Sequence, residues 1–282
     1  MQIKNTTQIM PLTYSHLWKR ALSASIAMPI VIMAIYWSAW SYFFFFLLIV
    51  ALAMSEFYRL VSLCGIQPNK FLGIGGGLLT YTLVFMYACG HSSINYLYML
   101  CPVIALIFLS ELYQQGTAPF TNIAYTLLGM VYVSGPFALL HPAAFSQGAY
   151  CYEIVMGIFL ILWTNDTGAY LVGASMGRRR LFKRISPQKS WEGTLGGATL
   201  ALGASFVVAH YFDIMGLDAW LVIGTMIAVT GTYGDLVESM LKRSLKIKDS
   251  GSTIPGHGGL LDRFDSFLLA IPFIAAFIKL WR

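Results

Sequence analysis

The chain has 282 residues, of which 57% are hydrophobic and only 11% charged, with a net charge of +6 and a mean hydropathy of +0.69. Soluble domains carry about 25% charged residues, so a chain this poor in charge cannot cover a surface that faces water. Disorder, a coiled coil, a secreted disulfide scaffold and nucleic-acid binding are excluded on the same ground, which leaves an all-α, polytopic integral membrane protein.

In chain order, residues 1–20 are polar and end in Lys19 and Arg20, after which Ala21 to Ser55 contains no charge. These 35 residues would make a single helix of about 52 Å, against a hydrocarbon core of about 30 Å. They are read as two spans folded near Trp37 to Tyr42, and they are too long for the apolar region of a cleaved signal peptide, about 7–15 residues. Further apolar stretches at 71–89, 94–112, 123–140, 154–173, 194–212, 219–234 and 266–280 give about nine transmembrane helices. With the amino terminus cytoplasmic, segments 1–20, 56–70, 113–122, 174–193 and 235–265 face the cytoplasm and hold 16 of the 18 Lys and Arg residues, as the positive-inside rule requires. The opposite loops, 90–93, 141–153 and 213–218, hold none. Residues 1–150 then offer scaffold, dimer or lipid contacts, and 151–282 form the half whose charged cytoplasmic loops are expected to carry the chemistry.

Minor features are assigned no chemistry. Cys64, Cys89, Cys101 and Cys151 form no CxxC pair and are read as packing residues. Glu56 and Glu111 fall at span ends and are expected at the interface, and His16, His91, His141 and His210 are isolated. The pairs Gly73/Gly77 and Gly193/Gly197 read as close helix contacts.

The charge gathers in two loops. The first, 174–193, carries Arg178, Arg179, Arg180, Lys183, Arg184 and Lys189; such a loop also serves simply as an anchor to anionic headgroups. The second begins with Asp235, Glu238, Ser239 and Lys242, whose offsets of 0, 3, 4 and 7 place them on one helix face. An amphipathic helix end with internal ion pairs is the competing reading, but a carboxylate at the membrane boundary usually has a partner such as a metal. Lys246, Lys248 and the glycines at 256, 258 and 259 then read as a phosphate cradle, or as a turn without a ligand. No Walker A loop occurs. Asp262 and Asp265 share a helix face, and Asp235 with Asp262 fits a Mg²⁺ site completed by substrate phosphates. Asp166, alone in an apolar span, is a further candidate for metal or substrate.

These residues resemble a known signature. Ser239-x-Leu241-Lys242-Arg243, Lys248-Asp249-x-Gly251 and Ile254-Pro255-x-His257-Gly258-Gly259-Leu260-x-Asp262-Arg263-Phe264-Asp265, 27 residues in all, are similar to the signature of the phosphatidate cytidylyltransferases, or CDP-diacylglycerol synthases. Asp166-Thr167-Gly168-Ala169-Tyr170 and Ser186-Pro187-Gln188-Lys189-Ser190-Trp191-Glu192-Gly193 also resemble that family. The resemblance implies an all-helical, dimeric enzyme that joins CTP and phosphatidate into CDP-diacylglycerol and pyrophosphate. It implies Mg²⁺ on Asp235 and Asp262 and a second, monovalent cation such as K⁺. The amino terminus resembles that of bacterial members, which implies an inner-membrane location with a site open to the cytoplasm and the bilayer.

The lipid phosphate is already mostly dianionic at neutral pH, its second pKa being about 6, so no dedicated base is required. Transfer then depends on positioning and charge neutralisation. Lys242, Arg243, Lys248 and Arg263 are assigned to phosphate charge, and His257 to phosphate orientation or to the acid that releases pyrophosphate. Ser186, Lys189, Ser190, Ser239, Asp249, Gly256, Gly258 and Gly259 are assigned to substrate binding, and Asp166 and Asp265 join Asp235 and Asp262 as further metal candidates. The alternatives are the same nucleotide chemistry on another lipid or polyprenol, and an ion-coupled transporter using Asp166, Asp235 and Asp262. A transporter spreads polar groups through the bilayer, often in two repeated halves, whereas here they gather on one side.

Overall fold

A computed structural model describes residues 28–114, 116, 118–247 and 259–281. Its helices are α1 (Met28–Trp37), α2 (Ala39–Ser62), α3 (Lys70–Ala88), α4 (Leu100–Tyr113), α5 (Pro119–Gly129), α6 (Gly135–Ala144), α7 (Tyr152–Met176), α8 (Trp191–Tyr211), α9 (Leu217–Ser244) and α10 (Leu261–Leu280). A 3₁₀ segment, Ile94–Met99, leads into α4, and a π segment, Met130–Ser134, joins α5 to α6. Where it is described, each apolar stretch of the sequence forms helix. Seven stretches among the described residues are long and apolar enough to cross a bilayer: α2, α3, Ile94–Tyr113, Pro119–Ala144, α7, α8 and α9. Helix α1 is described from Met28 onward, and α10 carries Asp262, Arg263, Asp265 and Lys279 within its 20 residues. The protein is an all-α integral membrane protein.

The expected fold between the first two spans falls at Ser38, whose hydroxyl accepts from the Ser41 amide at 3.0 Å while the Ser41 hydroxyl accepts from the Ser38 amide at 3.0 Å. This reciprocal capping ends one helix and starts the next. Two differences from the sequence reading stand out. The first basic loop contains a short antiparallel hairpin, β1 (Arg180–Phe182) with β2 (Ser186–Ser190). The Gly-rich stretch at 219–234, short as a span, is the middle of a 28-residue helix that runs on through Asp235 and Lys242.

Small residues set the helix separations. The Gly73/Gly77 face of α3 lies against Tyr58 and Met54 of α2, and Gly129 meets Tyr58 from the other side. The Tyr58 hydroxyl, wedged between them, donates to the Thr126 carbonyl at 2.7 Å. Gly193 and Gly197 likewise bring α8 onto Ala169, Gly173 and Asn165 of α7, so both glycine pairs are close helix contacts. Helices α7, α8, α9 and α10 pack together, and α10 also packs against α6 and α2.

Phe267 of α10 joins the two halves, stacking on Phe159 of α7 at 5.4 Å and meeting Phe137 of α6 at 4.7 Å and Phe264 at 5.8 Å between ring centroids. Burying such side chains satisfies packing that lipid alone does not drive, because lipid tails are as apolar as the core. Glu56 and Glu111 lie toward the ends of their helices and are buried within the fold, and Glu111 accepts from the Asn122 side-chain amide at 3.1 Å. Two expectations are corrected here. His141 is not isolated: its Nδ1 lies 2.9 Å from the Tyr42 hydroxyl in a fully buried aromatic cluster. Cys64 and Cys101 are exposed rather than packed.

Phe267→Ala is expected to remove the closer of the two rings that α10 sets against α6 and α7, leaving that of Phe264, and to cost about 3–5 kcal/mol, read as a lowered thermal midpoint of the purified protein in detergent.

Candidate active site

Helices α7 and α9 end, and α8 and α10 begin, at the same end of the bundle, and a cavity of about 1000 Å³ opens among them. Asp166 lies ten residues before the end of α7, about 15 Å along the helix, so the cavity reaches well down the bundle. Its wall carries four carboxylates, Asp166, Asp235, Asp262 and Asp265, and four cations, Arg180, Lys189, Lys242 and Arg243, among the described residues. The amino-terminal ends of α8 and α10 add their dipoles, which favour anions.

Two lysines interleave with the carboxylates. Lys189 Nζ lies 2.8 Å from Asp235 Oδ2 and donates to the Thr232 carbonyl at 3.3 Å. Lys242 Nζ lies 2.8 Å from Asp262 Oδ1 and 3.5 Å from Glu238 Oε1. The Ser239 hydroxyl donates to Asp235 Oδ1 at 3.3 Å. Both Lys189 and Asp235 are partly exposed, at 23% and 36% of their side chains. An exposed pair contributes only about 0–1 kcal/mol, so each charge is available to a phosphate or a cation at little cost.

Each functional side chain has a local reason for its place. The 0, 3, 4, 7 offsets of Asp235, Glu238, Ser239 and Lys242 fall on one helical face, as the sequence spacing requires. Lys189 is delivered by the hairpin, whose base is tied down by Glu192: its carboxylate accepts from the Arg178 amide at 3.1 Å and from the Arg179 amide at 3.1 and 3.2 Å. The Ser190 hydroxyl caps α8 through the Gly193 amide at 3.2 Å. Asp166 Oδ1 accepts from the Asn165 side chain at 3.3 Å and from the Ser266 hydroxyl at 3.4 Å. Asp265 Oδ1 accepts from the Ser266 amide at 2.6 Å. Gly234 lies directly against the Asp265 backbone, and Gly231 stands beside Asn165 and Ser266. That packing brings the carboxylates of α7, α9 and α10 to one wall.

Of the residues singled out in the sequence, Asp166, Ser186, Lys189, Ser190, Asp235, Ser239, Lys242, Arg243, Asp262 and Asp265 line this cavity. Arg263 is exposed beside Asp262 and is not part of the lining, and Gly259 is buried just before α10. Lys248, Asp249, Gly256, His257 and Gly258 lie outside the described residues. The lining also includes Arg180, Tyr170 and Gln188, which the sequence reading named without a site role, and Thr232, Ser266 and Thr194, which it did not select. Thr232 sits one turn before Asp235, and Ser266 one turn after Asp262, so helical spacing from the acids was the signal that could have found them.

The donor set fits a hard cation. Carboxylate oxygens suit Mg²⁺, which takes one or two of them and fills its other positions with water and phosphate. No group of three or more His, Cys, Asp and Glu gathers for a metal among the described residues, so a protein-only cage is not what this wall offers.

The model of the cytidylyltransferase family matches residues 18–281. The chain belongs to that family. Among curated members, a phosphatidate cytidylyltransferase of Staphylococcus saprophyticus is 35% identical over 77% of this chain and 84% of its own length. One of Staphylococcus aureus is 33% identical over 76% of this chain and 83% of its own, and one of Staphylococcus haemolyticus is 32% identical over 90% and 96%. The residues 239–265 that resemble the family's signature begin in α9 and end in α10.

Because a Cβ at position 234 would run into backbone rather than a flexible side chain, Gly234→Val is expected to push α9 away from α10. Turnover should fall at least about tenfold while the helical circular dichroism of the purified variant stays unchanged; a variant with normal turnover would show that this spacing does not matter to the site.

Proposed function

We propose that this cytidylyltransferase acts on CTP and phosphatidate at the cavity between α7, α8, α9 and α10, yielding CDP-diacylglycerol and pyrophosphate. The observation that carries this reading is the gathering of four carboxylates and four cations in one cavity at a single end of the helical bundle, with Lys189 on Asp235 and Lys242 on Asp262. A site for one anion would need only the cations; a site for a metal–triphosphate beside a second phosphate uses both signs.

An oxygen of the lipid phosphate attacks the α-phosphorus of CTP, a new P–O bond forms, and the bond to the β-phosphate breaks, its electron pair leaving with pyrophosphate. Asp235 and Asp262 would hold Mg²⁺, with Asp166 and Asp265 as further candidates, and the ion when bound supplies charge neutralisation and alignment of the phosphates. A second, monovalent cation such as K⁺ belongs to the same proposal. Lys189 and Lys242, released from Asp235 and Asp262, neutralise phosphate charge as the two anions approach. Arg243 and Arg180 extend the positive wall toward the mouth. Ser239 steadies Asp235, and the amino-terminal end of α8 with Ser186 and Ser190 receives a phosphate. Lys248, Arg263 and His257, with the Gly256, Gly258 and Gly259 backbone and Asp249, complete the phosphate cradle in this reading.

The acyl chains would remain in the bilayer beside α7 and α8, where Tyr170, Leu171 and Leu195 are exposed. The distribution of Lys and Arg supports a cavity facing the cytoplasm, and with bacterial relatives the membrane in this reading is a bacterial cell membrane, the inner one where there are two. A homodimer is part of the proposal, since α4 leaves most of its apolar surface exposed.

The deciding experiment supplies purified protein with phosphatidate and each of the four nucleoside triphosphates in Mg²⁺ and scores pyrophosphate release. CTP alone should support it; equal release with ATP or GTP, or none with CTP, overturns the assignment. Asp235→Ala should lower turnover at least about a hundredfold with the protein still folded, and chelation of divalent ions should lower it comparably and reversibly. Near-normal turnover by that variant in excess Mg²⁺ would reject the metal assignment.

A further inference from the structure

Glu56 stands on α2, in the half of the chain that contributes nothing to the cavity lining, yet it is only 3% exposed. Its Oε2 accepts from the Leu260 amide at 2.8 Å and its Oε1 faces the Leu261 amide at 3.4 Å. These amides open α10, whose own first residues supply no side-chain cap. The first amides of a helix have no partner within it, and a negative group there is favoured by the helix dipole. A buried carboxylate is costly unless it is bonded. Each therefore satisfies the other, across 204 residues of sequence.

The cap sits one residue before Asp262 and four before Asp265. Helix α2 is held in turn by Tyr58 and Met54 against the glycine face of α3. The turn that follows α2 reaches the other end of the same connection, where the Cys64 thiol donates to the Leu245 carbonyl at 2.9 Å, just beyond α9. Helix α2 and the turn after it thus touch both ends of the α9–α10 connection.

We infer that Glu56 is a positioning residue for the transfer reaction: by holding the Leu260 and Leu261 amides it fixes the start of α10, and with it the placement of Asp262 against Lys242 and the carboxylates of α7 and α9. Glu56 touches neither substrate nor the reacting atoms and acts through Asp262. The inference rests on the catalytic role proposed for Asp262.

The test uses the full-length protein in detergent with Glu56→Gln, which keeps the shape and one carbonyl acceptor, and Glu56→Ala, which removes both bonds. In Glu56→Ala, hydrogen exchange at the Leu260 and Leu261 amides should speed up at least about tenfold, because a bond to a charged acceptor is lost. Turnover per folded molecule should fall by a similar factor, while the KM for CTP changes less than about threefold, and half-saturation should need more Mg²⁺. Glu56→Gln should fall between wild type and Glu56→Ala in exchange and in turnover. Unchanged exchange and turnover in Glu56→Gln, or an activity loss that only tracks the folded fraction, overturns the inference. If Asp262→Asn retains wild-type turnover while exchange at both amides still quickens in Glu56→Ala, the catalytic assignment of Asp262 has failed and the cap has not.

Discussion

Lys189 against Asp235 and Lys242 against Asp262, each at 2.8 Å, are what allow four carboxylates to share one cavity within a helical bundle. A carboxylate deep in such a bundle is expensive without a partner, and like charges on one wall repel one another. The two lysines offset these penalties at Asp235 and Asp262, while Asp166 and Asp265 rely on hydrogen bonds from Asn165 and Ser266. Two of the carboxylates can therefore exchange their partner: one that gives up its lysine can meet a metal ion, and the freed lysine can meet the phosphate that arrives with it. The chemistry proposed for the cavity consists of that exchange followed by the in-line displacement.

Backbone packing makes this arrangement possible. Gly231 and Gly234 let α9 settle onto Asp265 and Ser266 of α10, and Gly193 and Gly197 let α8 settle onto α7. At both seams a side chain would separate the helices that carry the acids. The rings of Phe264 and Phe267, turned toward Phe137 and Phe159, take the opposite side of α10 into the core. One short stretch of sequence therefore supplies both the charged and the apolar anchor of that helix.

Much of this was legible before any coordinates. The charge-free run from Ala21 to Ser55 demanded a break, and Ser38 supplies it. The helical offsets of Asp235, Ser239 and Lys242 placed them on one face, and they line one cavity. What escaped the sequence has a common physical cause. Glu56, Glu111 and His141 look like single polar residues in apolar surroundings, and only tertiary contacts show that each is buried with a partner on another helix or at its start. The hairpin of the first basic loop was equally hidden: its strands have 3 and 5 residues and lack an alternating apolar face, so nothing in the pattern distinguished them from an extended loop. Thr232 and Ser266 were hidden for another reason, since a hydroxyl on an apolar helix is ordinary until a neighbouring acid gives it a role.

The attachment of α2 and the turn after it to both ends of the α9–α10 connection bears on how such an enzyme can change over evolutionary time. The residues proposed to touch substrate all belong to the later part of the gene, but the helix proposed to space them is encoded near its beginning. A duplication or fusion that transplanted only the later part onto a new set of membrane helices would inherit the chemistry without its spacing. Descendants of this architecture are therefore constrained to travel as whole chains, diversifying at the lipid-facing surfaces while the two ends of the gene remain bound to one another.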